Sequence, residues 1–434
     1  MIGSPLRLLL RNARLVDPAT GLDQPGSLLV EDGRIAALGP AIDATGGAAG
    51  EGVRTIDCAG HVLAPGLVDI RVQAREPGDE HLETVASASA AAAAGGITTF
   101  CCLPNTEPPI DDVALVDFVS RRGSTIGLVR VHPYAALTKG LKGEALAEIG
   151  LMAEAGAVAF TDGVRPVADP RMMRRALAYA RNFDALVVQR PEDPSLARGG
   201  AMNEGELAAR LGLPGIPVEA EVIMLERDIR LAALTGARYH ASLVSCAKSV
   251  EVVRRAKDAG LAVTCDTTPA YFGLNEVAVS NYRTYAKLSP PLRTEADRLA
   301  VLAAVKDGTI DCVVSDHAPF DHDSKRLPFA QASFGGVGLE TLLALLLEQV
   351  HNGALTLMQA LAPVTERPAR LMRLPVGRLA QGAPADLVEI DLGRAWKIDN
   401  KRFVSKGRNT PFDNKPVQGK VVRALVGGRV VFQG

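Results

Sequence analysis

Neither sign of charge dominates this chain. Its 434 residues carry 48 Lys and Arg against 49 Asp and Glu, a formal net charge of -1, and no long basic run upsets the balance. That removes the electrostatic basis for nucleic acid or an anionic membrane as a general partner. Long apolar runs are missing as well. The opening MIGSPLRLLLRNARLVDPATG has only Leu8, Leu9 and Leu10 between two arginines, too short for a signal peptide or a membrane span. The expected location is the cytoplasm. No CxxC pair occurs: Cys58, Cys101, Cys102, Cys246, Cys265 and Cys312 are scattered through apolar stretches, the pattern of buried free thiols. Adjacent Cys101 and Cys102 point to opposite faces of a strand and form no metal clip. A GxGxxG turn opening a helix is also lacking, which argues against an open dinucleotide-binding sheet.

What is present is the composition of a folded globular chain, 47% hydrophobic and 22% charged, long enough for one large domain and one small one. LLLRNARLVD, SLLVEDGRIAALG and VRTIDCAGHVLAPG near the start read as short strands joined by Gly and Asp. DLVEIDL, KVVRALVGG and RVVFQG resume that texture at the end. Residues 1–64 plus 375–434 are therefore expected to form one β-rich accessory domain, with 65–374 inserted between them. Trp396, the single tryptophan, falls in this domain. Through the insertion, LVDIRVQ, ITTFCCLPN, AVAFTDG, ALVVQR, ARYHAS, AVTCDTTP and DCVVSDHAP alternate with helical stretches such as TVASASAAAAAGG. The expected fold class is α/β, a (β/α)8 TIM-like barrel. Polar residues closing its strands face the site in such a barrel, which selects Arg71, Gln73, Asn105, Asp162, Arg190, His240 and Asp316.

Those residues sit in longer motifs. PGLVDIRVQAREPGDEH, AAAAAGGITTFCCLPNTEPPID, LTKGLKGEALAEIGLMAEAGAVAFTDG, PEDPSLARGGAMNEG, RYHASLVS and VVSDHAPF through FGGVGLET occur in this order. Together they resemble the dihydroorotases of the amidohydrolase superfamily, over essentially the whole chain. The resemblance implies a binuclear centre, usually zinc, that activates water to open or close the dihydroorotate ring in pyrimidine biosynthesis. It also implies ligand or base positions at Asp162, His240 and Asp316, and substrate-carboxylate contacts from Arg75 and Asn105.

The chain departs from that pattern where the metals belong. The family's HxH pair is Arg71-Val72-Gln73, and its later histidine is Arg190. A guanidinium stays protonated and has no lone pair to donate, so Arg71 and Arg190 repel a dication. Gln73 offers a neutral amide oxygen. Zinc lowers the pKa of bound water from about 15.7 to about 7, on the order of 12 kcal/mol of nucleophile activation. Ala270 and Tyr271, Ser289 and Phe320 replace further family residues. The resemblance is accordingly closest to the inactive homologues that certain bacteria pair with aspartate transcarbamoylase, and it implies that enzyme as partner in a homo- or hetero-oligomer, with no cofactor.

Two other readings stand beside this one. A reduced site at Asp162, His240 and Asp316 holds one zinc and hydrolyses dihydroorotate or another cyclic amide; or the chain is a sensor that binds a pyrimidine precursor through Arg75 and Asn105. Arg71 and Arg190 read either as ordinary salt-bridge residues or as charges standing in for the two cations, neutralising Asp162 and Asp316. His240 and His317 read equally as core histidines. Arg75 also suits bracing of the Pro77-Gly78 turn, and Asn105 an Asx turn before Pro108.

Overall fold

Eight parallel staves close into a barrel in the middle of the chain. This computed structural model describes residues 7–42 and 53–434; residues 1–6 and 43–52, part of the expected 1–64 segment, lie outside the described residues. Leu67–Val72 pairs with Ile97–Cys102, which pairs with Arg130–Pro133. Bridges from Phe160 to Ala135 and to Val187 bring in the fourth stave around Phe160. Leu186–Gln189, Arg238–Ala241, Val263–Thr267 and Cys312–Val313 follow in parallel register. A Val72–His317 bridge closes the ring. Leu67–Val72, Ile97–Cys102 and Leu186–Gln189 are buried throughout, as parallel strands between a packed interior and covering helices must be.

The first covering helix, Val85–Ala94, shows how locally the sequence dictates its elements. Thr84 and Ser87 form a reciprocal capping box at its start, satisfying two donors that a helix N-terminus otherwise leaves unpaired. Gly95 ends it against Leu339, where an added Cβ would lie 2.0 Å from the Leu339 carbonyl oxygen.

Strands from both chain ends share one sheet, in the order Arg429–Gln433, Pro416–Val426, Leu387–Lys397, Val62–Pro65, Arg7–Asp17, Leu22–Glu31, Arg34–Gly39, with Val53–Asp57 also on Arg7–Asp17. The two ends meet where Val62–Pro65 lies antiparallel to Leu387–Ile390. Leu10, Leu15, Leu28, Leu63 and Leu387 form a core separate from that of the barrel. One stretch of the C-terminal segment leaves this sheet. Asn409 Nδ2 donates to the carbonyls of Ala318 and Gly335 at 3.0 and 3.1 Å, and the Ser405 hydroxyl donates to Glu83, so residues around 405–409 pack on the barrel.

All six cysteines are buried and free; burial pushes the Cys58 thiol up to about 12, which leaves it unreactive. Among the described residues no helix is long and apolar enough to cross a membrane.

Candidate functional site

A cavity of about 570 Å³ opens at the C-terminal mouth of the barrel, with Arg71, Gln73, Arg75, Arg190, Ser289 and Asp316 in its wall. Arg71 is the penultimate residue of the first stave and Arg190 follows the fifth directly. Asp316 lies just beyond the last. The barrel thus brings five of the eight sequence-selected positions to one place, counting Arg75, as such folds do with strand ends.

Arg71 is the centre of the network. Its Nε donates to Asp316 Oδ1 at 2.9 Å and its Nη1 to Ser242 Oγ at 3.1 Å. Burial raises the Asp316 carboxyl above its ordinary value, and the Arg71 charge and hydrogen bond oppose that rise. Ser242 passes the contact inward, its hydroxyl donating to Asp266 Oδ2 at 2.9 Å. The same oxygen lies 2.9 Å from His240 Nε2, and His240 Nδ1 lies 2.8 Å from Thr264 Oγ1. His240 is fully buried with both ring nitrogens engaged, so no lone pair faces the cavity.

Arg190 makes a different set of contacts. Its Nη1 donates to Ser289 Oγ at 2.5 Å, and its Nη2 to the Val164 carbonyl at 2.6 Å and to Glu192 Oε1 at 3.1 Å. Asp162 is not its partner. Asp162 Oδ1 accepts from the amides of Leu137 and Thr138 at 3.0 and 2.9 Å, and Oδ2 from the Thr138 hydroxyl at 2.5 Å. Of the two aspartates that the arginine charges were expected to neutralise, Asp316 pairs with Arg71 and also feels the Arg190 charge, whereas Asp162 is held by neutral donors instead. Three donors on the neighbouring stave's loop stabilise the Asp162 carboxylate without a cation, although burial still raises its pKa.

The two substrate candidates part company as well. Arg75 lines the cavity with its guanidinium 4.8 Å from the Phe320 ring centroid. Its one hydrogen bond is a 3.3 Å contact from Nη2 to the Pro319 carbonyl, and Nε has no partner among the described residues. It is 9% exposed, and burial lowers its pKa against the opposing charge of Asp79. Asn105 donates from Nδ2 to Gln73 Oε1 at 2.9 Å and leaves its own Oδ1 unpartnered among the described residues. It supports Gln73 instead of forming an Asx turn.

The donor set does not fit the metal centre that the resemblance implies. Arg71 and Arg190 present only N–H groups, Gln73 accepts from Asn105, and Asp162 and His240 are spent on the contacts above. Among the described residues no group of three His, Cys, Asp or Glu side chains is placed to hold an ion. The three residues of the single-metal reading, Asp162, His240 and Asp316, each enter a different set of hydrogen bonds.

Several residues of this network escaped the sequence reading. Asp266 stood in the expected strand AVTCDTTP as an acid among apolar neighbours, a usable signal. Glu192 follows Arg190 by two residues. Lys287 and Lys325 had no signal; Lys287 Nζ donates to the carbonyls of Ala330 and Ala332, and Lys325 Nζ to those of Ser333 and Gly335. Together they hold the loop that forms one wall of the cavity, and burial lowers Lys325 to about 7.

A barrel of this topology joined to a sheet from both chain ends is an amidohydrolase architecture. It superimposes on the L-hydantoinase (dihydropyrimidinase) of Arthrobacter aurescens with a TM-score of 0.87 at 27% identity, covering 98% of this chain and 96% of that one. The dihydropyrimidinase of Brevibacillus agri gives 0.84 at 22% identity, over 99% and 95% of the chains, a likeness of fold alone. The model of the dihydro-orotase-like family matches residues 60–249. The dihydroorotase of Anaplasma phagocytophilum is 46% identical over 97% of this chain and 94% of its own length; that of Desulforapulum autotrophicum is 46% identical over 98% of both. The chain belongs to the dihydroorotase family.

Proposed function

We propose that this chain is a non-catalytic member of its family, acting as a structural or regulatory subunit in pyrimidine biosynthesis with aspartate transcarbamoylase as its partner. One observation carries the first half: Arg71, at a position the resemblance gives to a metal ligand, holds Asp316, at the position it gives to the base, in an ion pair at 2.9 Å. The Arg71 hydrogen bond takes up Oδ1 and its charge opposes protonation, against the burial that keeps the carboxyl above its ordinary value. The partner rests on the resemblance to inactive homologues that associate with that enzyme. The relatives named dihydroorotase support the opposing reading, a working hydrolase, and the two separate by measurement. Elemental analysis of the purified protein is expected to find well under one zinc per chain, with no dihydroorotate turnover. Co-purification with the transcarbamoylase is expected to raise that enzyme's stability or change its assembly. Stoichiometric zinc with turnover abolished by Asp316→Ala overturns the first half; absence of any complex overturns the second.

A second reading, a metabolite-binding protein, is favoured by Arg75, a buried guanidinium whose Nε has no partner among the described residues and which lines a cavity of ligand size. It expects dihydroorotate to raise the melting temperature without turnover, and Arg75→Ala to abolish the shift.

A further inference from the structure

A second cavity, of about 460 Å³, lies away from the barrel mouth. It is framed by the strands Leu387–Lys397 and Pro416–Val426 on one side and by the helix ends at Ala94 and Leu343 on the other. Leu343, Phe403, Val421 and Phe432 supply an apolar wall, completed by Trp396. The Trp396 Nε1 donates to the Gly419 carbonyl at 2.9 Å. That bond satisfies the indole's only donor and fixes the ring.

The rim is basic. Lys397, Arg402 and Lys420 line the cavity, and Arg394 stands near enough to Lys420 that it and Arg402 add to the burial that lowers the lysine's pKa. Lys420 Nζ lies 5.6 Å from the Trp396 ring centroid and Lys397 Nζ contacts Asn414 Oδ1 at 3.0 Å. Among the described residues no ion pair joins any of these four cations to a carboxylate. Two acids are also present, each accepting from backbone amides. Asp399 accepts from the Lys401 amide at 3.1 Å. Glu340 accepts from the amides of Val404 and Ser405, and burial raises it to about 7.

An apolar slot with an aromatic ring in its wall and unpaired cations at its edge suits a ligand that is flat and apolar at one end and anionic at the other. The volume is in the range of small-molecule sites, roughly 300–1,000 Å³. We propose that this cavity binds a nucleoside monophosphate, with its base packed at Trp396 and its phosphate among Lys397, Arg402 and Lys420. The site shares no lining residue with the cavity that holds Arg71 and Asp316 and is independent of whether that network is catalytic.

Trp396 is the only tryptophan in the chain, so its fluorescence reports this cavity directly. Uridine monophosphate and adenosine monophosphate are each titrated into the full-length protein, beside uridine, adenosine and inorganic phosphate, with calorimetry as a second readout. A saturable change with at least one nucleotide is expected, with the parent nucleoside and phosphate each weaker by about tenfold or more. Arg402→Ala with Lys420→Ala, both outside the cores, is expected to weaken binding by about tenfold and to flatten its salt dependence. No saturable signal from either nucleotide, equal affinity for the nucleoside, equal affinity for phosphate alone, or undiminished binding in the double variant overturns the proposal.

Discussion

Arg71 reaches from the end of the first stave to Asp316 beyond the last, Nε to Oδ1 at 2.9 Å, and their side chains are 3% and 12% exposed. The pair spans the seam at which the barrel closes, where Val72 bridges His317. A buried pair is costly to break from one side, because the remaining charge is left without a partner. Arg71→Met is therefore expected to destabilise the protein by about 3–5 kcal/mol. Arg71→Met with Asp316→Leu removes both charges and is expected to recover most of that loss. Chemical denaturation of the two singles and the double gives the coupling directly; simple additivity would refute a paired network.

The same position predicts what placing imidazoles in the cavity wall does. Arg71→His, Gln73→His and Arg190→His together remove two cations and add three imidazoles at the cavity wall. The triple variant is expected to take up zinc that the parent does not retain after desalting, as read by elemental analysis. Arg71→His alone is expected to bind far less. Zinc retained equally by parent and triple variant contradicts the argument from lone pairs.

Much of this architecture was legible because it is written in local pattern. Apolar staves ending in polar residues, and strand texture at both chain ends, identify the barrel and the sheet. The stave Arg130–Pro133 was missed because Arg130 and His132 interrupt its apolar character. Arg130 is bound there by Asp386, Nε to Oδ2 at 2.5 Å, a partner 256 residues away that no local pattern reveals. Arg190 and Asp162 failed differently. Both do close barrel strands, but the direction a side chain takes depends on the donors around it, and the Thr138 amide and hydroxyl reach Asp162 first.

The three contacts that Asp162 accepts from Leu137 and Thr138 give a structural role for it a test, because they separate two substitutions at it. Asp162→Asn keeps an oxygen for the Leu137 and Thr138 amides and is expected to cost about 1–2 kcal/mol. Asp162→Ala leaves buried donors unsatisfied and is expected to cost about 2–4 kcal/mol. Thermal and chemical unfolding of both variants distinguish this from a ligand role, in which neither change would much affect the stability of the metal-free protein.

His132 gives the pH dependence a sign. Burial, with Arg130 close by, lowers its pKa to about 4, below the value of about 6.5 expected in the unfolded chain. The unfolded state therefore binds this proton first as pH falls. The contribution of the neutral imidazole is fully present above about pH 6.5 and is lost as the pH falls through about 4. His132→Asn has no proton to gain. Between pH 7 and pH 4 the parent is expected to lose on the order of 2 kcal/mol more stability than the variant, while carboxylate titrations common to both cancel in the difference. Parallel stability curves for the two proteins over that interval would show that His132 is not held neutral by its surroundings.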